Sequence, residues 1–423
     1  MRQLFLPDQM HAFPDAEFQL TSQTGKPAIG YVEQVILLAL LSSLIALSID
    51  AMLPALSHIE KDLSIKDPND RQYIVSTLFA GMAVGMLLYG PISDSIGRKK
   101  PIYIGFSIFL IGCLLSIYAT DFPTMLAGRF LQGLGAAGPR VVSMALIRDQ
   151  YKGREMASFM SLVMTVFILV PVLAPGLGQI VLFFASWKAI FGAMFALGAT
   201  AFIWFAFRQR ETLEKARRHK FSFKRLMLAS KEVVTTPLSF GYTILAGFVF
   251  SGFLSYLSMS QQIFQDQYGV GDLFPVYFGV LALAIGGASM VNSSLVIRLG
   301  MQNLIKKALW GLTTISAIFV VISFVLNGQP PLWSLMIFLL MTFFCFGILF
   351  GNINAVAMEP LGHIAGVGSA IVTAFSTFQA SIIGSLIAQT YNGTILPLVI
   401  SFAGFGAISL LVMYFTNSIS KES

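Results

Sequence analysis

GRFLQGLGAAGPR, residues 128–140, is the stretch on which the fold turns. Gly133, Gly135 and Gly138 stand at the G-x-G-x-x-G spacing that cradles a dinucleotide pyrophosphate, and Arg129 and Arg140 flank the run. The nucleotide reading needs a strand before the glycines, a helix opening within them and an acid about 20 residues on. No strand pattern precedes them, the segment lies inside an apolar run, and Asp149 falls after that run has ended. As a helix in lipid the same residues have a purpose. Gly128, Gly133, Gly135, Ala136, Ala137 and Gly138 form a small-residue surface that lets neighbouring backbones approach closely, as does the pair Gly81 and Gly85 in an earlier run.

The rest of the chain agrees with the lipid reading. Of 423 residues, 56% are hydrophobic and 11% charged, against roughly 25% charged in a soluble domain. Apolar runs recur at about 34–56, 73–92, 101–119, 124–147, 158–183, 187–207, 238–260, 274–297, 304–326, 332–358, 364–389 and 394–416. Each is long enough to cross a hydrocarbon core of about 30 Å as a helix, and about twice the length of a barrel strand. Lipid offers no partner to a free N–H or C=O, so the expected fold is all-α: a polytopic membrane protein of twelve transmembrane helices.

One long basic interruption divides the spans six and six. The expected organisation is an N-terminal tail (1–33), a six-helix bundle (34–207), a basic linker (208–236), a second six-helix bundle (237–416) and a short tail (417–423). Two six-helix pseudo-repeat halves are the layout of a large class of secondary transporters. The linker mixes Lys and Arg with Leu213, Phe221, Phe223, Leu226 and Met227; it reads equally as a helix on the leaflet or as a solvated connection.

An even number of spans puts both termini on one side. Loops on that side carry eighteen Lys and Arg, whereas the opposite loops carry four, Lys61, Lys66, Arg71 and Lys188. Both ends are therefore expected in the cytoplasm. The net charge of +7 is accounted for as topology signal and anionic-lipid contact, with no aromatic-interleaved patch pointing to nucleic acid. The first 30 residues lack the features of a secretory signal, so no cleavage is expected. Cys113 and Cys345 lie within apolar runs and read as core residues rather than a disulfide framework. Histidines at 11, 58, 219 and 363 are scattered and no metal-ligand spacing occurs, so neither a metal nor enzyme chemistry is expected.

Charges within the spans carry the functional information: Asp50, Arg129 and Arg140, all in the first half. A charge at the bilayer centre costs about 2.5–3.5 kcal/mol on insertion scales, so it faces a partner or a water-filled cavity. By helix rise Asp50 lies roughly 9 Å, and Arg129 roughly 8 Å, below the same surface, while Arg140 lies ~16 Å farther toward the terminal side. Level with each other, Asp50 and Arg129 read as a proton site and its charge-tuning partner, or as an ion pair locking two helices. Burial favours a neutral carboxyl and a guanidinium an ionised one, so small changes in hydration switch such a group. Arg140 faces a cavity open to the cytoplasm or snorkels to the headgroups. Gln132, Asn292, Asn352, Asn354 and Gln379 line a cavity or bond across helices. Phenylalanine, at 38 residues, would suit an apolar or aromatic substrate, although lipid-facing packing accounts for most of it.

Gly90-Pro-Ile-Ser-Asp94-Ser-Ile-Gly97-Arg98-Lys99-Lys100 resembles the signature loop between spans two and three of the major facilitator superfamily. Asp50-Ala-Met-Leu-Pro54, Arg129-Phe-Leu-Gln132-Gly133, Arg148-Asp149, Ser255-Tyr-Leu-Ser and Glu359-Pro-Leu-Gly362 are similar to its drug/proton antiporters of the Bcr/CflA type. The resemblance covers nearly the whole chain from about residue 34. It implies alternating access by two rocking halves, a cytoplasmic charge relay of Asp94, Arg98 and Asp149, and proton coupling at Asp50 and Arg129. In the fifth span the antiporter motif has Gly-Pro and a following glycine pair, where this chain reads Pro171, Ala174, Pro175, Gly176, Gly178 and Gln179. The implied function is efflux of small amphipathic compounds or drugs from the inner membrane of the cell. The proton gradient supplies the energy, no cofactor takes part, and the partners are substrate, protons and lipid around a monomer. A carrier of one metabolite or siderophore is the alternative. Arg140 stands outside the general motif and would disfavour a purely cationic substrate set, attracting an anionic or zwitterionic one instead.

Overall fold

The computed structural model describes residues 30–218 and 220–422; most of the 1–33 tail, with His11, and also His219 and Ser423 lie outside them. The first span begins as α1 (Tyr31–Asp50). It stops there because Pro54 has no N–H to give the Asp50 carbonyl four residues back, and its ring crowds that oxygen. A tight turn at Leu53–Ala55 and the short α2 (Leu56–Asp62) carry the chain on. α3 (Tyr73–Ile96) ends at Gly97, whose φ of +95° is a conformation that side chains resist. α4 (Lys99–Ile117) follows, and Asp121 then caps α5 (Phe122–Gln150) by accepting the Thr124 N–H at 2.8 Å. α6 (Gly153–Phe184) and α7 (Lys188–Arg208) complete the first half.

After α8 (Phe223–Thr235) the second half comprises α9 (Pro237–Gln261), α10 (Phe274–Leu299), α11 (Met301–Val325), α12 (Leu332–Met358), α13 (Ala365–Ala388) and α14 (Leu396–Glu422). All but α2 and α8 are of membrane-spanning length, twelve helices among the described residues, in the two six-helix halves the apolar runs imply. Several run past their apolar stretches. α6 begins at Gly153 rather than 158, since a helix end in water needs hydrogen bonds but not apolar side chains.

The opening stretch is the packing core of the first half. α5 lies against both α3 and α4, and its glycines meet their backbones. A Cβ at Gly133 would stand 1.9 Å from the Leu78 carbonyl oxygen, and one at Gly135 would stand 2.3 Å from the Phe109 nitrogen. Gly81 of α3 answers in kind, 2.1 Å from the Phe130 carbonyl oxygen on the same measure. Between the halves, α3 packs on α13 and α6 on α10. The linker forms a helix capped by Ser222; α8 buries Leu226, Ala229 and Val233 and exposes Phe223, Met227 and Leu228.

Candidate functional site

A cavity of about 360 Å³ lies between the halves. From the first half it takes Asp50 and Ile49 of α1, Phe79 and Met82 of α3, Arg140 of α5 and Pro171 of α6. From the second half come Phe250 and Phe253 of α9, Phe278 of α10, Phe343, Phe350 and Asn354 of α12, and Ser376 and Thr377 of α13. The first half thus supplies both charges and the second most of the aromatic wall. That wall is what composition alone assigned mainly to lipid contact.

Asp50 is placed by the helix break. It is the last residue of α1, and α6 presses on the break so closely that a Cβ at Gly178 would lie 1.8 Å from the Ala51 carbonyl oxygen. On the same helix Pro171 reaches the cavity, Pro175 is buried, and Gly176 faces Pro275 at the start of α10. Asp50 is 4% exposed, and among the described residues it makes no hydrogen bond or ion pair. A buried carboxyl so placed is costly to hold charged without water or a partner, which ties its charge to its hydration. Tyr256 of α9 stands close enough for the two groups to act on each other electrostatically. Its ring packs on Phe343 at 4.7 Å between centroids, and among the described residues its buried hydroxyl has no hydrogen-bond partner. Sequence reasoning did not place it near Asp50; the signal was a tyrosine in the stretch Ser255-Tyr-Leu-Ser of an apolar span.

Arg129 does not join Asp50. Its guanidinium is wholly buried and turns to the other helices of its half, donating to the Ile74 carbonyl of α3 at 3.0 Å and to Gln132 Oε1 at 2.6 Å. Gln132 passes the contact to α4, donating to Ser116 Oγ at 3.4 Å, and Phe191 of α7 lies 5.8 Å from the guanidinium carbon. Depth alone made the pair plausible. Direction about the helix axis decides otherwise, and in this structure Arg129 is the clamp of α3, α4 and α5.

The polar candidates divide. Arg140 and Asn354 line the cavity. Gln132 belongs to the clamp, Asn352 donates to Asn292 Oδ1 at 2.6 Å, and Gln379 donates to the Ile244 carbonyl at 3.2 Å, so these three hold helices together.

At the end away from the termini the halves are latched. Buried Arg71 bonds Glu60 at 2.6 Å in its own half and Asp266 in the other. Asn69 donates to the carbonyls of Gln389 (3.1 Å) and Tyr391 (2.9 Å), and Gln389 returns a bond to the Asn69 carbonyl. Gln72 pairs with Gln262, Ser76 with Ser385, and Gln179 donates to Asp272 at 2.9 Å. Burial pushes the Tyr391 hydroxyl up to about 12, so it stays a neutral donor to the Gln262 carbonyl at 3.3 Å.

The end bearing the termini is held differently. Arg98 donates to Asp94 at 2.6 Å and to Asp149 at 2.8 Å, while Glu211 of the linker accepts its backbone N–H at 2.8 Å. All of these lie in the first half or the linker. Gly90 only approaches Ala370 of α13, at 3.7 Å from a Cβ built there, and among the described residues no hydrogen bond at this end joins α1–α7 to α9–α14. Among the described residues, polar bonds therefore join the halves at one end of the cavity and not at the other.

Comparison with known proteins adds four findings. A family model described as the Major Facilitator Superfamily matches residues 38–385. The Bacillus subtilis protein described as uncharacterized MFS-type transporter YdgK is 30% identical over 371 residues, 87% of this chain and 90% of its own. A bicyclomycin resistance protein homolog from Haemophilus influenzae is 28% identical over 399 residues, 92% of this chain and 97% of its own. The crystal structure of a D-xylose–proton symporter has a TM-score of 0.71 at 12% identity, over 92% of this chain and 97% of that one, a likeness of fold.

Proposed function

This chain belongs to the Major Facilitator Superfamily and is a multi-pass membrane transporter rather than an enzyme; from that premise we propose that it is a proton-coupled exporter of small amphipathic compounds. It sits in the cytoplasmic membrane with both termini inside, so that the latched end faces out and the state described is inward-facing. One observation carries the reading: a buried carboxyl, Asp50, with no hydrogen bond or ion pair among the described residues, on the wall of an aromatic cavity between two halves that these residues latch at one end. Likeness to the Haemophilus bicyclomycin resistance protein homolog favours export.

In the cycle, a compound enters from the cytoplasm or inner leaflet and settles against the phenylalanine wall. Asp50 releases its proton inward, the terminal ends close, and the Arg71–Asp266 latch opens. Protonation of Asp50 from outside resets the carrier. One proton falling through 100 mV supplies about 2.3 kcal/mol, enough with a small pH gradient for about 100-fold accumulation.

The test is transport by purified protein in proteoliposomes, driven by a pH gradient, over a panel of organic compounds. Uphill movement by the wild type, lost in Asp50→Asn while counterflow persists, supports the proposal. Uphill movement that survives in Asp50→Asn moves the proton site elsewhere.

A further inference from the structure

We propose that the cavity selects aromatic zwitterions, with an anionic head on Arg140, a cationic end at Asp50 and the aromatic body against the phenylalanines between them. The inference rests on the preceding reading only in taking this cavity as the transport cavity.

Charge complementarity is the first support. Among the described residues lining the cavity only Asp50 and Arg140 are charged. They have opposite signs and stand toward opposite ends: Asp50 at the break near the latched end, Arg140 eleven positions beyond Arg129 on α5, toward the termini. Allowing for the reach of an arginine side chain, the helix rise leaves roughly 10–15 Å between the two charged groups. A neutral ligand engages neither of these groups electrostatically and a singly charged one engages only one, whereas a zwitterion of matching length answers both.

The chemistry at each end is specific. A guanidinium is a planar fork of five N–H donors that fits a carboxylate in bidentate fashion and stays charged at any accessible pH. Arg140 has interactions within the protein, and that number of donors serves more than one partner at once. At the other end, a ligand ammonium on Asp50 competes directly with a proton for the same oxygens. That competition gives the exchange a physical cause. Between them, Phe79, Phe250 and Phe350 form a continuous surface, with centroids 5.6 Å apart from Phe79 to Phe250 and 6.1 Å from Phe250 to Phe350. The first pair crosses from one half to the other. A ligand lying there touches both halves, as a trigger for closure must.

The experiment uses four matched probes on the full chain in detergent, without any gradient. All share a biphenyl body: one carries an aminomethyl group at one end and a carboxylate at the other. In its relatives a carboxamide replaces the carboxylate, a hydroxymethyl replaces the aminomethyl, or both. Losing a charge-assisted contact weakens binding about 10–100-fold. Wild type is therefore expected to bind the zwitterion at least tenfold more tightly than either singly altered probe. In Arg140→Gln the advantage of carboxylate over carboxamide falls below about twofold, while Arg140→Lys, a point charge without the fork, retains part of it. In Asp50→Asn the ammonium advantage disappears instead. A wild-type ranking with the uncharged or the purely cationic probe tightest overturns the inference, even if no variant folds. So does an undiminished carboxylate preference in folded Arg140→Gln. Binding is read without a gradient, so proton coupling can fail with zwitterion selection intact, or the reverse.

Discussion

Replacing Asp266 by Asn removes the acid that, among the described residues, crosses from the second half to Arg71. Arg71 is 5% exposed but Asp266 is 47% exposed, so solvent screens half of the pair and the bond contributes about 1 kcal/mol rather than a buried pair's several. If the latch holds the outer end shut, losing ~1 kcal/mol raises the fraction open about fivefold. Arg71→Gln also strands Glu60 and is expected to do more, about tenfold. The assay is the rate at which a membrane-impermeant thiol reagent, added at the Asn69 face, modifies Leu257→Cys in a chain lacking Cys113 and Cys345. Leu257 is 2% exposed and lines the cavity, so it reacts only when that end opens. High salt is expected to narrow the gap between wild type and Asp266→Asn by screening the wild-type pair. Rates in both variants within 1.5-fold of wild type, a threshold of about 0.2 kcal/mol, would refute the latch.

Gly133→Val is expected to lower the melting temperature sharply or abolish yield, because the new side chain meets the Leu78 backbone and overpacking there costs about 3 kcal/mol; a scanning melt checks it. Arg129→Lys loses the forked contacts to Ile74 and Gln132, so it should reduce stability while leaving the ratio of gradient-driven transport to counterflow unchanged. A collapsed ratio in a stable protein would restore Arg129 to the coupling step. Tyr256→Phe removes a buried hydroxyl that bonds nothing among the described residues, so stability should rise, by about 1 kcal/mol or more, while the pH profile of transport should move. Arg98→Ala leaves two acids facing each other and is expected to cost about 3 kcal/mol in a melt, partly restored by Arg98→Lys.

The apolar runs were enough to place the helices, since lipid permits no other backbone arrangement of that length. Glycine spacing around Gly133 likewise carried its packing role, whereas the contacts of Arg98 with Asp94 and Asp149 were implied by family resemblance and not by the residues alone. What could not be read was direction. Depth along a helix is a single coordinate, and it set Arg129 level with Asp50 while saying nothing of the Ile74 carbonyl that holds the guanidinium. Gln132, Asn352 and Gln379 were ambiguous for the same reason. Arg71 counted only as a topology signal, because its partner Asp266 lies 195 residues away and nothing local marks the pair. The phenylalanine wall was hidden by abundance: lipid-facing and cavity-facing rings look alike in sequence.

Proton exchange at Asp50 is tested most directly by adding a transported compound to purified protein in weakly buffered solution and following a pH indicator. Linkage between compound and proton at one carboxyl requires wild type to release about one proton per molecule bound at a pH where the group starts protonated, and Asp50→Asn to release none. Equal release from both proteins, or none from wild type at any pH where binding occurs, would contradict it.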